Sequence, residues 1–261
     1  MSVPIADIRR LVAEAGELAL GYRGKVSASV KADLSIVSEA DAAVESFLRQ
    51  SLTDLAPGYG YIGEETTESR PAAAGESRAW VVDALDGSRA FVAGMPLWMP
   101  AVCLMDGPRA IAGAAINPVT RELFWADEDG PAFCNDEPLQ AKVPAGLGPN
   151  TFIFGPTNHH RTFAVDFPGR IYCLGAPIYQ LCLLAKGGSR ASSSIRRSTC
   201  GTWRSLRCCW RRPAACSSTL PVGPWTWGSS WGATRLPRRS TRAVRRWSTR
   251  YAGESCIGAD Q

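Results

Sequence analysis

What most restricts the folds open to this 261-residue chain is a change of composition close to residue 187. Residues 1–186 carry fifteen Lys and Arg against twenty-two Asp and Glu, a net charge of −7. Residues 187–261 carry fourteen Arg, no Lys and two acids, a net charge of +12, with six of the nine Trp and five of the nine Cys. Ordinary globular domains do not have that second composition. Residues 188–261 also lack helical or strand periodicity, so they offer no apolar face to bury and are not expected to pack as a domain. A core must therefore come from the first 187 residues, which are long enough to build one. The overall charge of +5 averages two unlike segments.

Within the first segment the periodicity is readable. Ile5, Ile8, Leu11, Val12, Ala15, Leu18 and Ala19 recur at helical spacing over residues 4–22. Ala43, Val44, Phe47, Leu48 and Leu52 repeat the pattern over 40–55, ended by Pro57-Gly58. Short strands are expected at 59–62, 79–82, 97–104, 110–116 and 122–126, separated by Gly, Pro and Asn turns. Residues 172–185 read as strand followed by helix. Two helices followed by several strands give an α+β half with a largely antiparallel sheet over residues 1–145. Residues 146–187 open an α/β half.

Several classes are excluded at this stage. Asp7, Arg9 and Arg10 interrupt the first apolar stretch, against a secretory signal, so a cytoplasmic location is expected. The longest apolar run, near Met95 to Met105, contains Pro and is too short to span a bilayer. No CxxC pair occurs among the nine Cys, and free thiols follow, with Cys103 and Cys182 in apolar runs as inert core residues. The adjacent His159 and His160 have poor geometry for one zinc ion and read as an exposed loop.

Chemistry concentrates in two acidic clusters, Gly63-Glu64-Glu65 and Asp83-Ala84-Leu85-Asp86-Gly87-Ser88, each read as directly following a strand. Either alone is an ordinary turn, where Asp accepts backbone N–H bonds. Together, and with the apolar Trp80-Val81-Val82 before the second, they can converge. Glu64, Asp83, Asp86 and the Leu85 carbonyl are hard oxygen donors suited to Mg²⁺. Bound near a phosphate ester, such ions neutralise developing charge, the main need of a very slow hydrolysis. Ser88 starts a short helix, SRAF, whose free N–H groups suit a phosphate.

The segments VSEAD (37–41), IGEE (62–65), VVDALDGSRAF (81–91), GAAINPVTRELFWADEDGPAFCNDEPL (113–139) and LGAPIYQLCLLAKG (174–187) resemble, in order and spacing, the inositol monophosphatase family. That family lies within the Mg²⁺-dependent, lithium-sensitive phosphatases, and the resemblance covers residues 5–187. It implies a layered sandwich of helices and sheets, often a homodimer. It further implies Glu64, Asp83, the Leu85 carbonyl and Asp86 as metal ligands, with Glu64, Leu85, Gly87 and Ser88 contacting substrate phosphate. Glu65, Ser88 and Asp41 would serve catalysis, Ser88 standing where the family usually has Thr and positioning the attacking water. Lys31 would line the site. Ala84 replaces the family's usual Pro and loosens the turn.

After residue 187 the family should supply a Trp-Asp-x-Ala motif, whose Asp binds a second metal, then an apolar helix and Gly-Gly. None is present. Read from the third base of the Thr199 codon, however, Cys200-Gly201-Thr202-Trp203-Arg204 can encode (Leu/Val/Met)-Trp-Asp-(Leu/Val/Met)-Ala. The same shift turns Arg207-Cys208-Cys209-Trp210 into (Leu/Val/Met)-Leu-Leu whatever the third bases. It also turns Trp225-Thr226-Trp227-Gly228 into (Leu/Val/Met)-Asp-(Leu/Val/Met)-Gly, and Pro213-Ala214-Ala215 permits Gly-Gly. The chain thus leaves its ancestral frame between about Gly187 and Thr199. Nucleic-acid binding would also use interleaved Arg and Trp, but it predicts only a sign of charge and none of these motifs; no nucleic-acid or membrane partner is expected.

The function expected is a Mg²⁺-dependent phosphoric monoester hydrolase acting on a small sugar, cyclitol or related phosphate, compatible with aminocyclitol antibiotic formation. Alternatives are a bisphosphate nucleotidase, fructose-bisphosphatase or histidinol-phosphatase of the same superfamily, or a catalytically dead binding protein if the tail is translated. Proteolysis should trim the chain to a core ending near Lys186, and sequencing across codons 185–205 separates the enzyme, which a frame-restoring base would favour, from the dead binding protein, which its absence would favour. A protease-resistant tail supplying Glu254 or Asp260 to the metal would overturn this reading of the last 74 residues.

Overall fold

A computed structural model describes residues 3–26, 28–30, 36–64, 69–140, 148–157 and 168–187. Among them the order is α1 (Ile5–Tyr22), β1 (Ala28–Val30), β2 (Ile36–Ser38), α2 (Glu39–Leu55), β3 (Gly60–Gly63), β4 (Arg78–Asp86) and α3 (Ser88–Val92). There follow β5 (Met99–Asp106), β6 (Arg109–Asn117), β7 (Glu122–Asp127), β8 (Phe133–Cys134), β9 (Glu137–Pro138), β10 (Phe152–Phe154), β11 (Arg170–Tyr172) and α4 (Pro177–Ala185). All of these residues belong to one compact unit.

Seven strands form the main sheet in the order β3-β4-β5-β6-β7-β8-β9. Only the β3–β4 pair is parallel; from β4 onward the strands run as an antiparallel meander. The connection from β3 to β4 is therefore a crossover, whereas the later strands need only tight turns. Smaller sheets pair β1 with β2 antiparallel and β10 with β11 parallel.

Strand alternation divides the core. Trp80, Val82 and Ala84 of β4, Val102 and Leu104 of β5 and Ala112 and Ala114 of β6 pack with Ile8, Leu11, Val12, Val44, Leu48 and Leu52 of α1 and α2. The intervening residues face the other way. Met99, Ala101, Ala115, Phe124 and Ala126 pack under Ile178, Tyr179 and Cys182 of α4, and Val81, Cys103, Met105 and Ala110 form a separate small cluster. Burial on both faces explains why β5 reads as a continuous apolar run. The result is the expected layered sandwich.

The two long helices lie within a residue or two of their expected bounds. One pair of strands is unexpected, and one reading needs correction. The stretch after α1 contains the β1–β2 pair, too short for a strand pattern to register in the sequence. More consequentially, β4 does not stop at Val82 but continues through Asp86. The Asp83-to-Asp86 segment is thus part of the strand, held by pairing to β5, and is not a turn beyond it.

Helix α1 approaches the sheet closely at Gly16, where an added Cβ would lie 2.8 Å from Ile116 Cγ2 and 3.3 Å from Pro118 Cβ. Gly21 of the same helix has nothing within 4 Å of that position. Gly16→Val should therefore destabilise by about 1–3 kcal/mol through overpacking. Gly21→Ala should stabilise by roughly 0.5–1 kcal/mol through backbone entropy alone. Urea titrations of the two variants should move in opposite directions.

Candidate active site

Asp83 and Asp86 are three residues apart and in a regular strand would point to opposite faces. The ladder to β5 prevents this: Asp83 pairs with Ala101 and Asp86 with Met99, so three steps on β4 oppose two on β5. The extra residue is a β-bulge, and it re-phases the strand. Ala84 and Leu85, although consecutive, both enter the core under α1 and α2. Asp83 and Asp86 consequently lie on the side of Ala101 and Met99, facing α4.

Glu64 arrives from the neighbouring strand. In the parallel register Gly63 pairs with Val82, so the next residue along β3 comes abreast of Asp83. Glu64 is exposed, whereas Asp83 and Asp86 are buried. Burial, then the charges of Glu64 and Asp86, hold the Asp83 carboxyl well above the usual carboxylate range, against a Leu85 N–H donated to Oδ1 at 3.1 Å. Burial pushes Asp86 up to about 8, partly opposed by the N–H groups of Tyr179 and Ile178 and reinforced by Glu64. The Tyr179 N–H lies 3.1 Å from Asp86 Oδ2.

A second group of polar atoms adjoins the first. Asp41, buried at the third position of α2, accepts from the Ser38 N–H at 2.8 Å and the Ser38 hydroxyl at 2.7 Å on Oδ2. Reaching back in this way, Asp41 satisfies an otherwise unpaired donor at the helix start. Its Oδ1 lies 2.8 Å from Ser88 Oγ, which is also 3.0 Å from the Leu85 carbonyl. Gly87 links the strand to α3 at φ +92°, and a Cβ there would meet the Leu97 carbonyl at 2.5 Å and Ala176 Cβ at 2.9 Å. Only glycine fits both the conformation and the space.

The structure thus brings Asp41, Asp83, Leu85, Asp86, Gly87 and Ser88 into one region with Glu64 at its edge. Among the described residues no group of three His, Cys, Asp or Glu is already set at metal-binding geometry. The chemistry of the donors nonetheless suits Mg²⁺: three carboxylates and a carbonyl are hard oxygens, and two of the carboxylates are buried against one another's charge. Glu65, Lys31, His159, His160 and residues 188–261 lie outside the described residues.

Sequence reasoning missed the part played by α4. Nothing in the apolar run of residues 177–185 marks its first amides as donors to Asp86. Pro177 in the first turn was the available signal, since Pro favours a helix start and a helix start carries unpaired N–H groups.

This fold is shared with solved structures of inositol monophosphatase type. The extragenic suppressor protein suhB of Bartonella henselae superposes with a TM-score of 0.68 at 21% identity, covering 80% of this chain and 85% of that one. An inositol monophosphatase/NADP phosphatase solved with Mg²⁺ and phosphate gives 0.60 at 14% identity, covering 72% of this chain and 76% of that one. At the sequence level the model of the inositol monophosphatase family matches residues 4–197, and the chain belongs to that family. It is 33% identical over 159 residues to a histidinol-phosphatase of Chlorobaculum parvum, 57% of this chain and 60% of that protein. It is 34% identical over 136 residues to an inositol-1-monophosphatase of Rhizobium meliloti, half of each. The chain therefore spans about half to two thirds of the curated relatives' length.

The raised carboxyls fix the sign of a pH effect. Between about pH 4 and 8 the folded protein holds protons that the unfolded chain releases, so metal-free stability should fall as pH rises through that window. In EDTA the melting temperature should be lower at pH 8 than at pH 5. Asp86→Asn keeps an acceptor for the α4 amides but removes the charge, so it should flatten that slope and raise the pH 8 melting temperature. An unchanged slope in this variant would mean that Asp86 is not held protonated.

Proposed function

We propose that the chain is a Mg²⁺-dependent phosphoric monoester hydrolase acting on a small sugar, cyclitol or related phosphate. The observation that carries this reading is the bulge that turns Asp83 and Asp86 to the same side of β4, next to Glu64 and within one turn of an Asp41-held hydroxyl. Glu64, Asp83, Asp86 and the Leu85 carbonyl would hold the ion. When bound, Mg²⁺ supplies positive charge against the phosphoryl oxygens.

The chain's own part is positioning. Ser88 has one hydroxyl proton and two acceptors within reach, Asp41 and the Leu85 carbonyl. Donating to Asp41 makes its oxygen a better acceptor for a water proton, which orients that water's lone pair toward phosphorus. Asp41 cannot swing away, because both Ser38 donors hold its other oxygen. The N–H groups at the start of α3 would face the phosphate, and Gly87 at φ +92° lets the backbone come close. Glu65 is assigned to catalysis by the family pattern alone.

Relatives named histidinol-phosphatase and inositol-1-monophosphatase support a compact polyol or amino-alcohol monoester as the substrate class. In this reading the protein works in the cytoplasm as a homodimer, with the site in an N-terminal half that ends near residue 145. Among the described residues no helix is long and apolar enough to cross a membrane.

The test is phosphate release from inositol 1-phosphate and histidinol phosphate, by the chain as given and by a version with the C-terminal frame restored. Activity should require Mg²⁺, vanish with Asp83→Asn, and fall by about 100-fold or more with Ser88→Ala. Full turnover in EDTA, or an unimpaired Asp83→Asn variant, would place the chemistry elsewhere.

A further inference from the structure

Outside the residues already described, one carboxylate near the site gathers three side-chain donors. Glu122, the first residue of β7, accepts from the Tyr179 hydroxyl at 2.7 Å and the Thr120 hydroxyl at 2.7 Å on Oε2. On Oε1 it accepts from Lys186 Nζ at 2.6 Å. Tyr179 lies in the first turn of α4 and Lys186 immediately follows its last, seven residues apart and hence on the same helix face. A single side chain from the sheet therefore grips both ends of the helix.

That helix is the one whose amides meet Asp86. Tyr179 works at both of its ends: its backbone N–H lies on Asp86 Oδ2 and its hydroxyl on Glu122. The start of α4 has little freedom in between, since Ala176 is pressed against Gly87. We infer that Glu122, acting through the Tyr179 hydroxyl, is a positioning residue that sets the α4 amides on Asp86 and so fixes this carboxylate for the cation. The inference rests on the reading of Asp86 as a metal ligand given above.

Physical chemistry supports a coupling of this kind. A carboxylate that ligates metal is itself oriented by hydrogen bonds, and losing such outer partners typically lowers metal affinity about 10–100-fold. Glu122 is well suited to the task. Its hydrogen bonds from Lys186, Tyr179 and Thr120 outweigh partial burial and hold its carboxyl below the usual range, so it is a charged acceptor for the Tyr179 hydroxyl.

The experiment is a Mn²⁺ titration of the full chain followed by electron paramagnetic resonance, on the parent, Tyr179→Phe, Glu122→Ala, the double variant and Asp86→Asn. Melting curves in EDTA accompany each sample. Tyr179→Phe removes one hydroxyl and should raise the Mn²⁺ dissociation constant about tenfold, and Glu122→Ala at least as much. Because both act through one hydrogen bond, the double variant should bind no worse than Glu122→Ala alone, whereas independent structural damage would multiply the two losses. Asp86→Asn should abolish binding. If the parent binds and Asp86→Asn does not, yet Tyr179→Phe binds like the parent, the positioning role falls and the metal site stands. Multiplied losses in the double variant would also overturn it. A parent chain that binds no Mn²⁺ would overturn both.

Discussion

One extra residue in β4 is the constraint on which the site depends. The ladder between β4 and β5 advances by three residues on one strand and two on the other between Asp83 and Asp86. Without that bulge, one of the two carboxylates would be driven into the apolar layer under α1 and α2, where a charge without partners costs far more than a hydrogen bond can return. With it, Ala84 and Leu85 fill that layer and both acids stay on the other side. The bulge also turns the Leu85 carbonyl toward Ser88. The acids, the carbonyl and the hydroxyl thus share a single backbone irregularity, anchored at each end by regular pairing.

The arrangement carries a local energetic penalty. Two buried carboxylates with Glu64 beside them resist ionisation, because desolvation and like charge raise them above the usual carboxylate range. Perturbation of this kind, caused by burial together with a specific charged neighbour, is characteristic of sites built to receive a cation or a proton. The surrounding sandwich tolerates it because the sheet is covered by apolar side chains on both faces. Asp41 shows the contrasting solution: equally buried, it is satisfied by three donors from Ser38 and Ser88.

The chain belongs to the inositol monophosphatase family, and the reaction proposed above builds on these features. Helix α4 adds something the pattern does not express. Its first amides complete the environment of Asp86, while Glu122 and Lys186 tie it to β7. Elements far apart in the chain, at residues 86, 122 and 179, therefore meet within two hydrogen bonds.

The sequence by itself determined α1 and α2, because 3.6-residue spacing of apolar side chains is a local property of the chain. It also determined most strands of the meander, and it singled out Glu64, Asp83 and Asp86, because acids interrupting apolar runs are conspicuous; Asp41 and the role of Ser88 came only through the family resemblance. The sharp compositional break near residue 187 was equally plain. What only the tertiary structure decided is the phase of β4. A bulge arises from pairing with a neighbouring strand, so the run Trp80 to Leu85 looks the same whether the strand ends at Val82 or continues through Asp86. The approach of Glu64 to Asp83 from the end of the neighbouring strand, and the reach of the α4 amides to Asp86, likewise depend on register between distant segments. Local spacing can place a carboxylate on a strand; only packing decides which other groups it faces.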